Sequence, residues 1–215
     1  MKDFIKKYKH GIPIIVYMIV YLIIFFVIER VEVDNYTIIH LPIDDKIPFI
    51  EYFIVPYTMW FMYVAVFVAV MVFFDKDEYT RLFTTLVTGM TLFLIVSTLW
   101  PNMHELRAQA DLSGNSIFVQ MIRDLYETDT PTNLIPSIHV YNSIMIHVAV
   151  MHSSFMKKHK VVTWLSGILC TLIVLSTMFI KQHSIIDVIV AIVLAVVMYL
   201  AVYVGKLNFF KFRRK

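Results

Sequence analysis

Six apolar stretches, each close to the length of a bilayer crossing, dominate this chain of 215 residues. A helix needs ~20 predominantly apolar residues to cross ~30 Å of hydrocarbon, where each backbone polar group must be satisfied within the protein. The stretches run Ile12–Ile28, Ile54–Phe74, Leu82 to about Leu99, about Ile138–Phe155, Val161–Ile180 and about Ser184–Val204. The fourth carries His139, Asn142, His147 and His152, and the sixth carries Asp187. Composition agrees: 59% of the residues are hydrophobic and 16% charged, against ~45–50% and ~25% in soluble domains. A water-soluble globule, a disordered chain and a disulfide scaffold are thereby excluded, the last because Cys170 is the one cysteine and reads as an inert packing residue. We expect an all-α polytopic membrane protein, a single domain over residues 1–215 with six spans.

Charge placement sets an orientation. Lys2, Lys6, Lys7 and Lys9 precede the first span, which reads as a retained anchor, since Glu29-Arg30-Val31-Glu32 follows it and no small-residue cleavage site does. With both termini on one side, that side also holds Lys76, Arg81, Lys157, Lys158, Lys160, Lys206, Lys211, Arg213, Arg214 and Lys215, which makes 14. The other side holds Arg30, Lys46, Arg107, Arg123 and Lys181, which makes 5. The bias places both termini in the cytoplasm. On the far side, Glu29–Phe53 mixes apolar, aromatic and acidic residues and suits a segment at the membrane surface; Trp100–Ile135 is polar enough to cap an entrance. No basic run in a polar setting is interleaved with aromatics, so no nucleic-acid partner is expected.

Ionisable groups at membrane spans are costly and mark function. Pro136-Ser137-Ile138-His139 opens the fourth span; a hydroxyl, an imidazole and helix-terminal N–H groups there suit an anion. Lys181-Gln182-His183-Ser184-Ile185-Ile186-Asp187 enters the sixth, with His183 and Asp187 on one helix face and Lys181 as a neighbouring cation. Pro101-Asn102-Met103-His104-Glu105-Leu106-Arg107 is a loop with one arginine. All three fall on the same side. Asn142 and Ser143, one turn beyond His139, could order it, while Asp129 and Asn133 could brace a loop above the site. His147 and His152 read as helix-interface histidines, and no residue set calls for a metal or other cofactor.

These residues resemble the type-2 phosphatidic acid phosphatase superfamily, the histidine-dependent lipid phosphatases related to vanadium haloperoxidases. The family's Pro-Ser-Gly-His motif corresponds to Pro136-Ser137-Ile138-His139. Its Ser-Arg, five residues, His, three residues, Asp motif corresponds to Ser176, His183 and Asp187, with Thr177 where the arginine stands. Of its Lys, six residues, Arg-Pro motif only Arg107 remains, with Trp100 and Ala108 at the other positions. A branch of the superfamily similar to inositol phosphorylceramide synthases carries strings like Leu106-Arg107, Thr128-Asp129-Thr130-Pro131-Thr132-Asn133 and Lys181-Gln182-His183. The resemblance implies a six-helix haloperoxidase-like bundle in a bacterial cell membrane, with catalytic motifs between residues 100 and 190 at the extracytoplasmic face. It implies hydrolysis of a lipid phosphate or pyrophosphate (phosphatidate, phosphatidylglycerophosphate or polyprenyl pyrophosphate). His183 would be the nucleophile, Asp187 its orienting carboxylate and His139 the general acid. Arg107 and Ser137 would hold the phosphate, with Lys181 replacing the missing cations. The alternatives are a lipid phosphotransferase, as in inositol phosphorylceramide or sphingomyelin synthases, and a non-catalytic binder or transporter.

Overall fold

The computed structural model describes residues 7–31 and 33–207. Lys2, Lys6, Lys211, Arg213, Arg214 and Lys215, which entered the charge bias, lie outside the described residues, as does Glu32. The fold is helical: α1 (Ile12–Arg30), α2 (Ile54–Phe74), α3 (Lys76–Leu99), α4 (Ile117–Thr128), α5 (Ile138–His152), α6 (Lys160–Phe179) and α7 (Ile185–Tyr199). A π-helical turn, Leu200–Val204, extends α7. Among the described residues, five segments are long and apolar enough to cross a membrane, built on α1, α2, α3, α6 and α7.

The remaining expected span, α5, is shorter than expected and lies inside the bundle. Its 15 residues extend about 22 Å at 1.5 Å per residue. It packs against α2, α3, α6 and α7, and buries Val140, Tyr141, Met145, Ile146, Ala149 and Val150 completely. Polar residues that would be costly against lipid are therefore carried among other helices. Close approach of α3 depends on Gly89, where a Cβ would stand 2.0 Å from the Tyr141 ring. The Tyr141 hydroxyl crosses that contact and donates to the Thr85 carbonyl (2.7 Å). Lipid is as apolar as the helix surfaces, so such close packing and interhelical hydrogen bonds are what hold spans together.

Helix α3 starts at Lys76, six residues before its apolar stretch, because Asp75 caps it by accepting from Glu78 N–H (3.2 Å). The other carboxylate oxygen of Asp75 accepts from the Ser153 hydroxyl and from both N–H and hydroxyl of Ser154, which ties the end of α5 to the α2–α3 turn.

At the opposite end of the bundle, the two long connections interlock. Strands β1 (Thr37–Ile38) and β2 (Asn102–Met103) pair in parallel, and the Asn102 side chain accepts from Leu134 N–H (2.8 Å). Helix α4 was not anticipated within Trp100–Ile135. Ser116 caps it (3.2 Å to Val119 N–H), and Val119 and Ile122 are buried, with Ile122 clustered against Ile54, Tyr57 and Ile180. The Tyr126 hydroxyl donates to the Ile180 carbonyl (2.7 Å), so α4 sits directly against the α6–α7 turn.

Candidate active site

The α6–α7 turn supplies the central pair. Thr177 offers its carbonyl to both Gln182 N–H and His183 N–H (2.9 Å each), which folds the turn back on α6. Ser184 caps α7, and Asp187 Oδ2 reaches back to Ser184 N–H (3.0 Å) in a capping box. The same oxygen takes a hydrogen bond from His183 Nδ1 (3.2 Å). With Nδ1 as donor to a buried carboxylate, the lone pair of the ring lies on Nε2.

Across from this pair stands His139, in the first turn of α5. Its ring centroid is 6.2 Å from that of His183. Tyr57 stacks on it at 4.5 Å and Trp60 lies at 4.3 Å, so two aromatics of α2 fix the imidazole's orientation. Ser137 is fully buried and serves as the N-cap of α5, with its hydroxyl oxygen 3.5 Å from Val140 N–H and its own N–H donating to the Asp187 carbonyl (3.4 Å). The starts of α5 and α7 are thus joined directly.

Arg107 reaches the same place from the long connection. It donates to the Asp129 carbonyl (2.7 Å) and to Gln182 Oε1 (2.5 Å), lies 4.4 Å over the Tyr126 ring, and is 4.0 Å from the Asp129 carboxylate. Burial pulls the Arg107 pKa below its usual value, with Asp129 opposing. Asn133 donates to Glu29 (3.0 Å), whose carboxylate also accepts from the Thr130 hydroxyl, so Asn133 braces the loop against α1. Asn142 is buried, with Oδ1 lacking a protein partner among the described residues.

Lys181 requires a correction. Its ammonium gives its three donors to the Asp44 carbonyl (3.0 Å), the Ile47 carbonyl (2.6 Å) and Gln109 Oε1 (2.9 Å), and the residue is 2% exposed. Its φ of 53° sends the chain through the left-handed region. Lys181 is therefore a fastener between the 41–47 loop and the α6–α7 turn, with no N–H left for a phosphate. Lys181→Met should destabilise the protein by roughly 2–4 kcal/mol, since three acceptors lose a charged donor. The folded fraction should lose far less activity than yield; thermal unfolding and specific activity of the purified variant separate the two.

Three residues escaped the sequence reading. Gln182 orients Arg107. Asp44, 1% exposed, accepts from the Ser184 hydroxyl (2.6 Å), Ile185 N–H (2.9 Å) and Leu41 N–H (2.8 Å), so it caps α7 from outside. His104 accepts from Leu106 N–H at Nδ1 (3.2 Å) and donates from Nε2 to the Gln182 carbonyl (2.7 Å). Only a neutral imidazole makes both bonds, and burial pulls its pKa down to about 4. The unfolded chain takes up that proton near pH 6.5 while the folded one does not. The stabilisation is full above pH 6.5 and is lost as pH falls toward 4. In chemical denaturation at pH 7 and pH 4.5, His104→Gln should remove most of the pH dependence this site contributes, about 3 kcal/mol at most.

Six buried polar atoms at and around the site lack a protein partner among the described residues: Arg107 Nε, Gln182 Nε2, His139 Nε2, Asp187 Oδ1, Asn142 Oδ1 and Trp60 Nε1. Buried groups of this kind are ordinarily paired. Among the described residues no three His, Cys, Asp or Glu are gathered as metal ligands. No family model, curated protein or solved structure matches the chain.

Proposed function

We propose that this protein is a membrane lipid phosphatase that hydrolyses a lipid phosphate or pyrophosphate through a phosphohistidine. One observation carries the reading: Arg107 and Gln182, hydrogen-bonded to each other and each with an unpartnered buried N–H, join the turn that holds His183, an imidazole oriented by a carboxylate with a second imidazole across from it. Such a set suits an anion that accepts hydrogen bonds and undergoes substitution at its centre.

His183 Nε2 attacks phosphorus while the bond to the leaving oxygen breaks, and His139 supplies that oxygen's proton. Asp187 stabilises the charge that develops on His183 as the P–N bond forms. Arg107 and Gln182 donate to the equatorial oxygens. Water then attacks phosphorus, His139 accepts its proton, the P–N bond breaks and phosphate leaves. Lys181 has no part in this scheme. We further propose that α5 is the sixth crossing of a phosphatidic-acid-phosphatase-like bundle, and that the 14-to-5 charge bias sets the site at the extracytoplasmic face of a bacterial cell membrane.

The purified full chain, given phosphatidate, phosphatidylglycerophosphate and a polyprenyl pyrophosphate in mixed micelles, should release inorganic phosphate from at least one. Release should survive prolonged chelation. Absence of release from all three, or loss that a divalent ion restores, would overturn the proposal.

A further inference from the structure

At the end of the bundle remote from His183, a groove of about 660 Å³ runs between α5 and α6. That size lies within the range of ligand-holding clefts. Lys157 and Lys160 stand at its mouth, and His147, Trp164, Gly167 and Cys170 line it. We propose that this groove holds one anionic phospholipid, its phosphate on the two lysines and an acyl chain along Gly167 and Cys170.

Three observations carry this inference. The flank onto which the groove opens is apolar and uncovered, with Trp164 76%, Leu165 58% and Ile168 55% exposed on a helix long and apolar enough to cross a membrane. What meets this flank in a bilayer is a lipid chain. Neither lysine has a carboxylate partner among the described residues, and Asp75, which could have compensated them, is engaged by Ser153 and Ser154. The mouth is therefore positive, and an anionic headgroup complements it where a zwitterionic one does not. The groove lining is also largely apolar, with Met151, Trp164, Ile168 and Cys170 along it, and its one imidazole, His147, is held by Ser166 (3.1 Å) and packed on Gly167. A soluble anion would leave that apolar floor bare, and a neutral chain would leave the lysines unpaired.

The inference is independent of the catalytic proposal, because the groove shares no residue with the His183 site. Its test uses the purified full chain in mixed micelles with phosphatidylglycerol or phosphatidylcholine carrying a photoreactive diazirine on one acyl chain, and maps the adducts by peptide mass spectrometry. Surface lipid reaches Trp164 and Leu165, whereas Cys170, 8% exposed, is reached only by a chain within the groove. Phosphatidylglycerol should label Cys170 well above phosphatidylcholine. Lys157→Gln with Lys160→Gln should cut that labelling roughly 30-fold, leaving labelling at Leu165 unchanged. Thr171→Trp, from an exposed position on the groove wall, should block it for both lipids. Equal labelling of Cys170 by the two lipids, or labelling that persists in the lysine double variant, would overturn the proposal.

Discussion

His183→Ala should abolish turnover, lowering phosphate release from the best lipid substrate by at least about 10⁴-fold. No phosphoenzyme should be trapped on rapid acid quench with labelled substrate. The expectation rests on Nε2 being the atom that bonds phosphorus, a role that neither His104, committed at both nitrogens, nor Lys181, committed at all three protons, can assume. Asp187→Asn is nearly as informative. An amide N–H presented to Nδ1 would favour the tautomer with its proton on Nε2, so the ring would remain in place with the wrong nitrogen protonated. A loss of about 10⁴-fold is expected. His139→Ala should cost ~10²–10⁴-fold, most with poor leaving groups. Near-normal turnover by His183→Ala would remove the imidazole from the mechanism.

The second large effect concerns a residue far from His183 and Asp187 in sequence. Asp44→Ala should lower stability by about 3 kcal/mol, because Ser184, Ile185 N–H and Leu41 N–H lose one buried acceptor together. That corresponds to a fall of roughly 6–12 °C in Tm for a chain of this size. Turnover of the surviving folded protein should drop as well, by about 10²-fold, since the cap fixes where His183 and Asp187 sit. Asp45→Ala is the control. Its carboxylate bonds His40 (2.9 Å) and Gln109 (2.7 Å) at the exposed surface, where such contacts contribute little, so its Tm should stay close to that of the parent. A thermal melt of both variants in the same detergent distinguishes them.

What could be read from the sequence was what depends on local spacing. Long apolar runs marked α1, α2, α3, α6 and α7 because lipid tolerates few alternatives. His183 and Asp187 could be paired because four residues make one helical turn. Lys181 misled for a related reason. Adjacency to His183 implied a shared direction, but a residue with φ of 53° interrupts the periodicity on which such an argument depends, and its ammonium is held by residues 44, 47 and 109. Asp44, His104 and Gln182 acquire their roles through contacts spanning 75 to 141 positions, and no local pattern signals those. Helix α4 lies in a stretch read only as a polar cap, though Phe118, Met121, Ile122 and Leu125 recur at helical spacing behind the Ser116 cap.

The shortness and burial of α5 bear on how the molecule is made. A membrane insertion machine sorts each emerging segment by its own affinity for lipid. This segment offers 15 residues, three of them histidine and one asparagine. On its own terms it is a poor candidate for release into the bilayer. Helices α2 and α3 offer it one side of its lodging, but the other side is provided by α6 and α7, which are synthesised after it, so the helix bearing His139 is enclosed only when its later-born neighbours arrive. Assembly of the bundle and the meeting of His139 with His183 are then one event, and a nascent chain halted before α7 has not yet brought the two imidazoles together.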